Sequence, residues 1–210
     1  MAARDSLPAL AQPVGRKFGS NAAAGSLGPV PLADIAFAGD GEPTAAREFQ
    51  RAVQLARALR DELAPGVPLR LLTNGAHLAR PSVAAALPGI DELWVKLDAG
   101  EQAAFERASG TKRPLGAILE GLLRVARQRP VVLQSLFFRW QGAAPTEAEV
   151  AAWLGRLAEL QSAGARLARV QVYTVARRPA SDAVSPLEPE ALERIAAGAR
   201  GLGLDVEVFP

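Results

Sequence analysis

Polar residues gather where predicted strands end, and their types suit the binding of a small charged ligand. The first clear apolar run is followed by Gly39-Asp40-Gly41-Glu42-Pro43. Glycine lets the backbone approach a ligand closely, and proline fixes the exit into a following helix. A glutamate held in such a turn can accept hydrogen bonds from an ammonium group. The alternative is an ordinary turn that starts a helix at Thr44.

Two further strand ends carry candidate residues. Thr73 and Asn74 end the second strand, although residues of this kind are also common in plain turns. Lys96 and Asp98 flank the end of the third strand, and period-two alternation places both side chains on one face. This pair is either part of a ligand site or a simple salt bridge near a strand end.

Polar residues also interrupt the later strands. Gln134 and Ser135 lie within an otherwise apolar run, so each is either satisfied in the core or faces a ligand. Gln171 and Tyr173 alternate and should share a face. The single histidine, His77, follows a turn, and we expect it at the surface rather than in catalysis. No serine–histidine or metal-binding cluster is evident.

Hydrophobic periodicity predicts alternating strands and helices over residues 32–210. The predicted strands are Leu32–Ala38, Leu69–Thr73, Glu92–Leu97, Val131–Phe138, Arg169–Val175 and Asp205–Phe209. The predicted helices are Thr44–Leu63, Arg80–Leu87, Glu101–Ala108, Leu115–Gln128, Thr146–Ser162 and Pro186–Arg200. This alternation is typical of βαβ units around a parallel sheet, with sites at the carboxyl ends of the strands. Residues 1–31 have no apolar period, and we expect them to be irregular or disordered.

Composition narrows the class of protein. The chain has 210 residues, of which 49% are hydrophobic, enough for one domain with a substantial core. Its net charge is +2, and its arginines are spread over helix faces, which favours solvation over a nucleic-acid surface. It has no cysteine, which excludes disulfides, thiolate zinc sites and ordinary iron–sulfur ligation. Without a membrane span or signal peptide, a cytoplasmic location is expected.

The strand-end motifs together resemble the radical S-adenosylmethionine (radical SAM) superfamily. The segment Ile35–Thr44 is similar to the second-strand signature Gly-Gly-Glu-Pro, in a form with an inserted aspartate. This form resembles a subgroup of iron–sulfur oxidoreductases related to the wyosine-tRNA branch. Leu71–Gly75, Glu92–Gly100 and Val170–Arg177 resemble the third, fourth and sixth family strands. The resemblance covers residues 32–210 and implies a partial α/β barrel of about six parallel strands.

The resemblance also implies roles for the matching residues. Gly39, Asp40, Gly41, Glu42 and Pro43 would hold the methionine amino group of SAM, beside Thr73 and Asn74. Side chains from the fourth and fifth strand ends would approach the ribose or carboxylate, namely Lys96, Asp98, Gln134 and Ser135. The sixth strand near Val172 and Tyr173 would lie beside the adenine.

The chain departs from the family pattern in its cluster motif. The family places three cysteines in a loop after the first strand, where they hold a [4Fe–4S] cluster that reductively cleaves SAM. Here residues 1–31 occupy that region without a cysteine or a convincing first strand. We therefore expect the family activity to be absent, in either a truncated or frame-shifted product or a genuine cluster-free descendant.

Other functions remain open from the sequence. The chain could be a non-catalytic module that binds SAM or a nucleoside, or a scaffold for a protein partner. RNA binding, including tRNA, is a further alternative, although only 5% of residues are aromatic. An unpaired edge of the second family strand would favour self-association.

Overall fold

A six-stranded sheet forms the centre of the protein. The computed structural model describes residues 32–179 and 181–210, so the predicted irregular segment 1–31 lies outside the described residues. The strands are β1 (Ile35–Phe37), β2 (Leu69–Thr73), β3 (Glu92–Lys96), β4 (Val131–Leu136), β5 (Phe138–Trp140), β6 (Leu167–Tyr173), β7 (Val184–Pro186) and β8 (Val206–Phe209). The helices are α1 (Phe49–Leu63), α2 (Pro81–Ala86), α3 (Gln102–Ser109), α4 (Leu115–Gln128), α5 (Glu147–Ser162) and α6 (Pro189–Gly201).

The large sheet has the order β1-β2-β3-β4-β6-β8, and every neighbouring pair in it is parallel. Helices connect successive strands of this sheet, as parallel pairing requires. The predicted α/β class with six parallel strands is confirmed. Among the described residues the sheet is open rather than closed into a barrel, because β1 and β8 lie at its two edges.

Alternate residues of the strands face two different environments. In β3, Leu93 and Val95 are fully buried in a core shared with the helices. The residues between them, including Trp94 and Lys96, are partly exposed and lie on the opposite face. This second face is polar; for example, Arg70 forms ion pairs with Asp34 (2.6 Å) and Glu92 (2.7 Å) on its neighbours. The chain therefore has one apolar helix-covered face and one polar face of its sheet.

The apolar run predicted as one strand over Val131–Phe138 is two strands in the structure. β4 ends at Leu136, where the main-chain N–H of Phe137 donates to the carbonyl of Tyr173 (2.9 Å). β5 then leaves the large sheet and pairs antiparallel with β7. The single-strand prediction was wrong because β5 and β7 have three residues each, too few for a periodic signal.

Helix ends follow their capping residues. Thr146 caps α5: its hydroxyl accepts from the N–H of Glu149 (3.2 Å), and the Glu149 carboxylate accepts from the N–H of Thr146 (2.8 Å). This reciprocal pair is a capping box. The first helix begins at Phe49 rather than at Thr44, because Pro43–Ala45 forms a separate 3-10 turn. The sixth helix begins at Pro189, since Pro186 belongs to β7.

The helix α1 carries three exposed leucines. Leu55 and Leu59 are each 55% exposed, and Leu63 is 74% exposed. Self-association through the β1 edge of the sheet stays a prediction.

Among the described residues, none of the helices is both long enough and apolar enough to cross a membrane.

Candidate functional site

A cavity of about 480 Å³ lies at the carboxyl ends of the parallel strands. It brings together eleven of the twelve residues predicted to form the site, Ser135 being the exception. They come from five different strand ends and are Gly39, Asp40, Gly41, Glu42, Pro43, Thr73, Asn74, Lys96, Asp98, Gln134 and Tyr173. This placement follows from topology, since the carboxyl ends of parallel strands meet at one edge of the sheet.

The Glu42 carboxylate ties the turn after β1 to the end of β2. One oxygen accepts from the hydroxyl of Thr73 (2.6 Å), from the N–H of Thr44 (3.1 Å) and from the Thr44 hydroxyl. The other oxygen accepts from the N–H of Asn74 (2.7 Å). The side chain expected to meet an ammonium group is thus already engaged within the protein. Glu42 therefore shapes the cavity, and although the oxygen bonded to Asn74 keeps lone pairs, further ligand acceptors come from elsewhere in the turn.

The main-chain carbonyls of this turn are candidates for those acceptors, because Gly39, Asp40 and Gly41 line the cavity. In the described part of the chain, no donor reaches the carbonyl oxygens of Gly39, Asp40 or Gly41. A Cβ added at Gly39 or Gly41 would meet no atom within 4 Å, so the space in front of these glycines is open. An ammonium group that entered the cavity would find several carbonyl dipoles at this turn. This arrangement suits the amino group of an amino acid.

Lys96, Asp98 and Tyr173 form the charged side of the cavity. The Lys96 ammonium lies 3.1 Å from the Asp98 carboxylate, whose other oxygen accepts from the N–H of Leu136 (2.9 Å). The Asp98 side chain is only 8% exposed, whereas that of Lys96 is 38% exposed. The Asp98 charge raises the pKa of Lys96 above its usual value, so Lys96 stays protonated at neutral pH. A cation is therefore available to a ligand carboxylate.

Tyr173 gives a direct optical test of this geometry because it is the only tyrosine in the chain. Burial, with the Asp98 charge next, raises the pKa of Tyr173 to about 12, while Lys96 opposes the rise. Because the folded pKa lies above the ordinary value near 10, the stability contributed by the protonated phenol is present below about pH 10. It is lost as the pH rises towards 12. At pH 11 we expect phenolate absorbance in urea but little in native protein, and Lys96→Met should delay native ionisation further. Equal ionisation of native and unfolded chains would contradict the burial of this hydroxyl.

A row of amides extends from the cavity across the polar face. The amide nitrogen of Gln134 donates to the side-chain oxygen of Gln171 (3.1 Å), and Gln171 donates to Glu207 (3.2 Å). Glu207 in turn pairs with Arg169 (2.7 Å). This chain of bonds holds the Gln134 amide in place beside Lys96. Gln134 is thus the member of the pair Gln134–Ser135 that lines the cavity.

Ser135 lies on the other face of β4, in the core. It is fully buried, its hydroxyl donates to the carbonyl of Leu97 (2.8 Å), and it accepts from the indole of Trp153 (3.2 Å). Successive residues of a strand point to opposite faces, so Gln134 and Ser135 cannot both line one cavity. The structure corrects the expectation that both approach a ligand.

Two other features were not anticipated. His77 is buried rather than at the surface, and burial, with the Arg80 and Arg113 charges, lowers its pKa. Arg113, from the loop between α3 and α4, lines the cavity and donates to the carbonyl of Ala76 (3.3 Å). Nothing in the sequence distinguishes this arginine from the many others, because its position depends on a loop that crosses between helices.

Comparison with known proteins finds a partial likeness in sequence and a shared fold. No protein-family model matches the chain. A GTP 3',8-cyclase from Mycobacterium ulcerans (strain Agy99) is 34% identical over 110 residues, which are 51% of this chain and 29% of that protein. A domain of a pyruvate-formate lyase-activating enzyme from Bacteroides vulgatus ATCC 8482 has the same fold. Its TM-score is 0.63 at 16% identity, with 83% of this chain and 98% of that one covered. The chain thus resembles the radical SAM superfamily in part of its sequence and in its fold.

A second solved structure shares the fold. It is a radical SAM methyltransferase from Sphaerobacter thermophilus, with a TM-score of 0.59 at 20% identity, covering 85% of this chain and 51% of that one. The chain spans less than a third of its curated relative from Mycobacterium ulcerans. The relationship to the wyosine branch remains a prediction.

Proteins of the radical SAM superfamily use two cofactors, a [4Fe–4S] cluster and SAM, and the residues of this chain fit only the second. The [4Fe–4S] cluster does not fit, because the 210 residues contain no cysteine. Within residues 32–179 and 181–210 there is also no group of three histidine or carboxylate side chains that could hold a metal ion. SAM does fit, because the cavity offers open carbonyls at Gly39–Gly41 and a cation at Lys96.

Proposed function

We propose that this chain binds SAM, or a closely related nucleoside, in the cavity at the strand ends and does not cleave it reductively. One observation carries the proposal. The same cavity holds main-chain acceptors suited to an ammonium group and a protonated lysine suited to a carboxylate. SAM carries both groups on its methionine part.

The turn at Gly39–Gly41 would bind the amino group of the methionine part of SAM. Its free carbonyl oxygens accept N–H donors, and its missing side chains leave room for the ligand backbone. Glu42 contributes indirectly, because its carboxylate accepts hydrogen bonds from Thr73 and Asn74 and so fixes the shape of the turn. The selectivity of this side therefore depends on the shape of the turn.

Lys96 would bind the carboxylate of SAM, and its neighbours would bind the ribose. A charge-assisted hydrogen bond from an ammonium to a carboxylate is about twice as strong as one between neutral groups. Asp98 accepts one bond from Leu136 and pairs with Lys96, which leaves lone pairs for ribose hydroxyls. Gln134 is held beside Lys96 and adds a polar contact.

Reductive cleavage is left out of this function because the chain lacks the thiolates that would hold the cluster. In the superfamily a [4Fe–4S] cluster supplies the electron that cleaves SAM, and thiolates hold that cluster. This sequence contains none. Its residues can bind, orient and enclose SAM, but they provide no route for an electron to the sulfonium.

Calorimetry with SAM tests the proposal under anaerobic conditions. We expect wild-type protein to bind SAM and Lys96→Met to bind it at least about tenfold more weakly, because one charge-assisted bond is lost. Lys112→Met is the matched control, since Lys112 is exposed and lies outside the cavity lining. It should bind SAM like the wild type. S-adenosylhomocysteine should also bind, because it keeps the amino acid and the nucleoside.

Two results would contradict the proposal in different ways. Absence of any binding by SAM or adenosine would favour a scaffold without a ligand. Iron–sulfur absorbance after anaerobic reconstitution, together with release of 5′-deoxyadenosine, would overturn the assignment as a protein that does not cleave SAM.

A further inference from the structure

A second cavity, of about 230 Å³, adjoins the first. It lies between the ends of β3 and β4, the helix α3 and the segment that leads into α5. Asp98 and Ala108 line both cavities, so the two sites share a wall. A ligand in the second cavity would therefore lie next to a ligand at the strand ends.

Aromatic side chains are concentrated in this second cavity. The chain has 7 phenylalanines, 3 tryptophans and 1 tyrosine, and Phe137, Phe138 and Trp140 all line this small space. The Phe138 and Trp140 rings lie with centroids 6.4 Å apart and an interplanar angle of 67°. In a protein with so few aromatic residues, this clustering gives the cavity faces on which a planar ring can stack.

The backbone holds these rings in place. Trp140 pairs with Val184 of β7. It also exchanges two main-chain hydrogen bonds with Ala143, of 2.9 and 3.0 Å. The turn between them uses positive φ at Gln141 (51°) and Gly142 (81°). A strained turn closed by such bonds persists only where the surroundings hold it, so the Trp140 ring is presented on a preformed support.

The polar groups of the second cavity differ in whether they can still bond to a ligand. Arg107 pairs with Glu149, whose other oxygen accepts from Thr146, so these three groups satisfy one another. Asp98 is different, because its carboxylate makes one hydrogen bond and one ion pair and keeps further lone pairs. A ring that carries an N–H donor would match this acceptor.

We propose that the second cavity binds a planar heteroaromatic ring with an N–H donor, as part of a small molecule placed beside the strand-end ligand. Its volume is below the roughly 300–1,000 Å³ typical of sites for drug-sized ligands, so it takes one ring system rather than a whole nucleotide. The ring stacks on Trp140 and Phe138 and donates to Asp98. This inference does not depend on SAM binding, and its test contains no SAM.

Saturation-transfer NMR with indole tests the proposal, with 1-methylindole as the probe that lacks the N–H. We expect indole to bind the wild type, and Trp140→Ala to weaken it by about fivefold or more, the range for loss of one stacking partner. Trp94→Ala is the matched control, because Trp94 packs under Arg70 (5.2 Å) outside both cavity linings. It should bind indole like the wild type. Methylation of the ring nitrogen should weaken binding to the wild type more than to Asp98→Asn.

The result that overturns the proposal is clear-cut. Equal binding of indole by Trp140→Ala and wild type, with both folded by circular dichroism, would show that the ring does not stack there. If Trp140→Ala fails to fold, Phe138→Leu provides the same comparison with a smaller change in volume. Loss of indole binding in Trp94→Ala alone would place the bound indole on the polar face of the sheet and would contradict the proposal.

Discussion

Alanine at position 100 is expected to destabilise the folded chain by about 3 kcal/mol or more. Gly100 is buried two residues after Asp98, where the end of β3 meets α5. A Cβ at this position would overlap the main chain of Ala152 and Trp153. Because a helix backbone cannot move aside as a flexible side chain can, the strand end and the helix would have to separate.

This separation would break contacts that fix the cavity. The indole of Trp153 donates to the carbonyl of Leu97 (3.1 Å) and to Ser135, and Arg156 donates to the carbonyl of Gly100 (2.9 Å). Trp153 also packs edge-on against Phe137, with centroids 5.1 Å apart. These bonds hold the segment that carries Asp98, so we expect Gly100→Ala to weaken SAM binding as well.

Urea unfolding followed by circular dichroism measures the effect. The matched control is Gly155→Ala, in the middle of α5, where an added Cβ meets nothing within 4 Å. Alanine has the higher helix propensity, so this control should be neutral or stabilising by up to about 1 kcal/mol. Equal stability of Gly100→Ala and wild type would mean that strand and helix lie farther apart than described.

The fold was largely predictable because its elements are long and strongly periodic. Leu69–Thr73 and Leu115–Gln128 match their predicted bounds, since turn residues mark both ends. The position of the cavity followed from the parallel topology, which brings distant strand ends to one edge. The short strands β5 and β7 could not be predicted, because they are defined by pairing with each other and not by a local pattern.

The roles of individual site residues depended on partners far along the chain. Glu42 lies among glycines, as a ligand-binding residue would, yet its partners Thr73 and Asn74 are 31 and 32 residues away. His77 follows a turn but is 8% exposed, because neighbouring elements fold over it. Ser135, by contrast, could have been placed from the sequence, since strand alternation puts it opposite Gln134. Residue type and spacing therefore located the site, while tertiary contacts decided which atoms remain available.

Glu42→Ala is expected to cost about 3 kcal/mol of stability. The substitution removes the acceptor for four donor groups on three residues of a partly buried network, and Thr44 and Thr73 are almost fully buried, at 1% and 2% exposure. A buried donor without a partner costs about 1–3 kcal/mol. The control is Glu48→Ala, an exposed glutamate at the start of α1 whose side chain makes no capping bond, and its effect should be within about 0.5 kcal/mol.

Glu42→Gln then separates structure from ligand contact. Glutamine keeps an acceptor for Thr73 but presents N–H donors towards Asn74, so a smaller loss of about 1–2 kcal/mol is expected. If main-chain carbonyls bind the ligand ammonium, this folded variant should retain SAM affinity within about threefold, a difference of under 1 kcal/mol. Calorimetry on samples shown to be folded makes the comparison. A variant of normal stability that no longer binds SAM would assign the Glu42 carboxylate to the ligand itself, because only a direct contact loses affinity without loosening the turn.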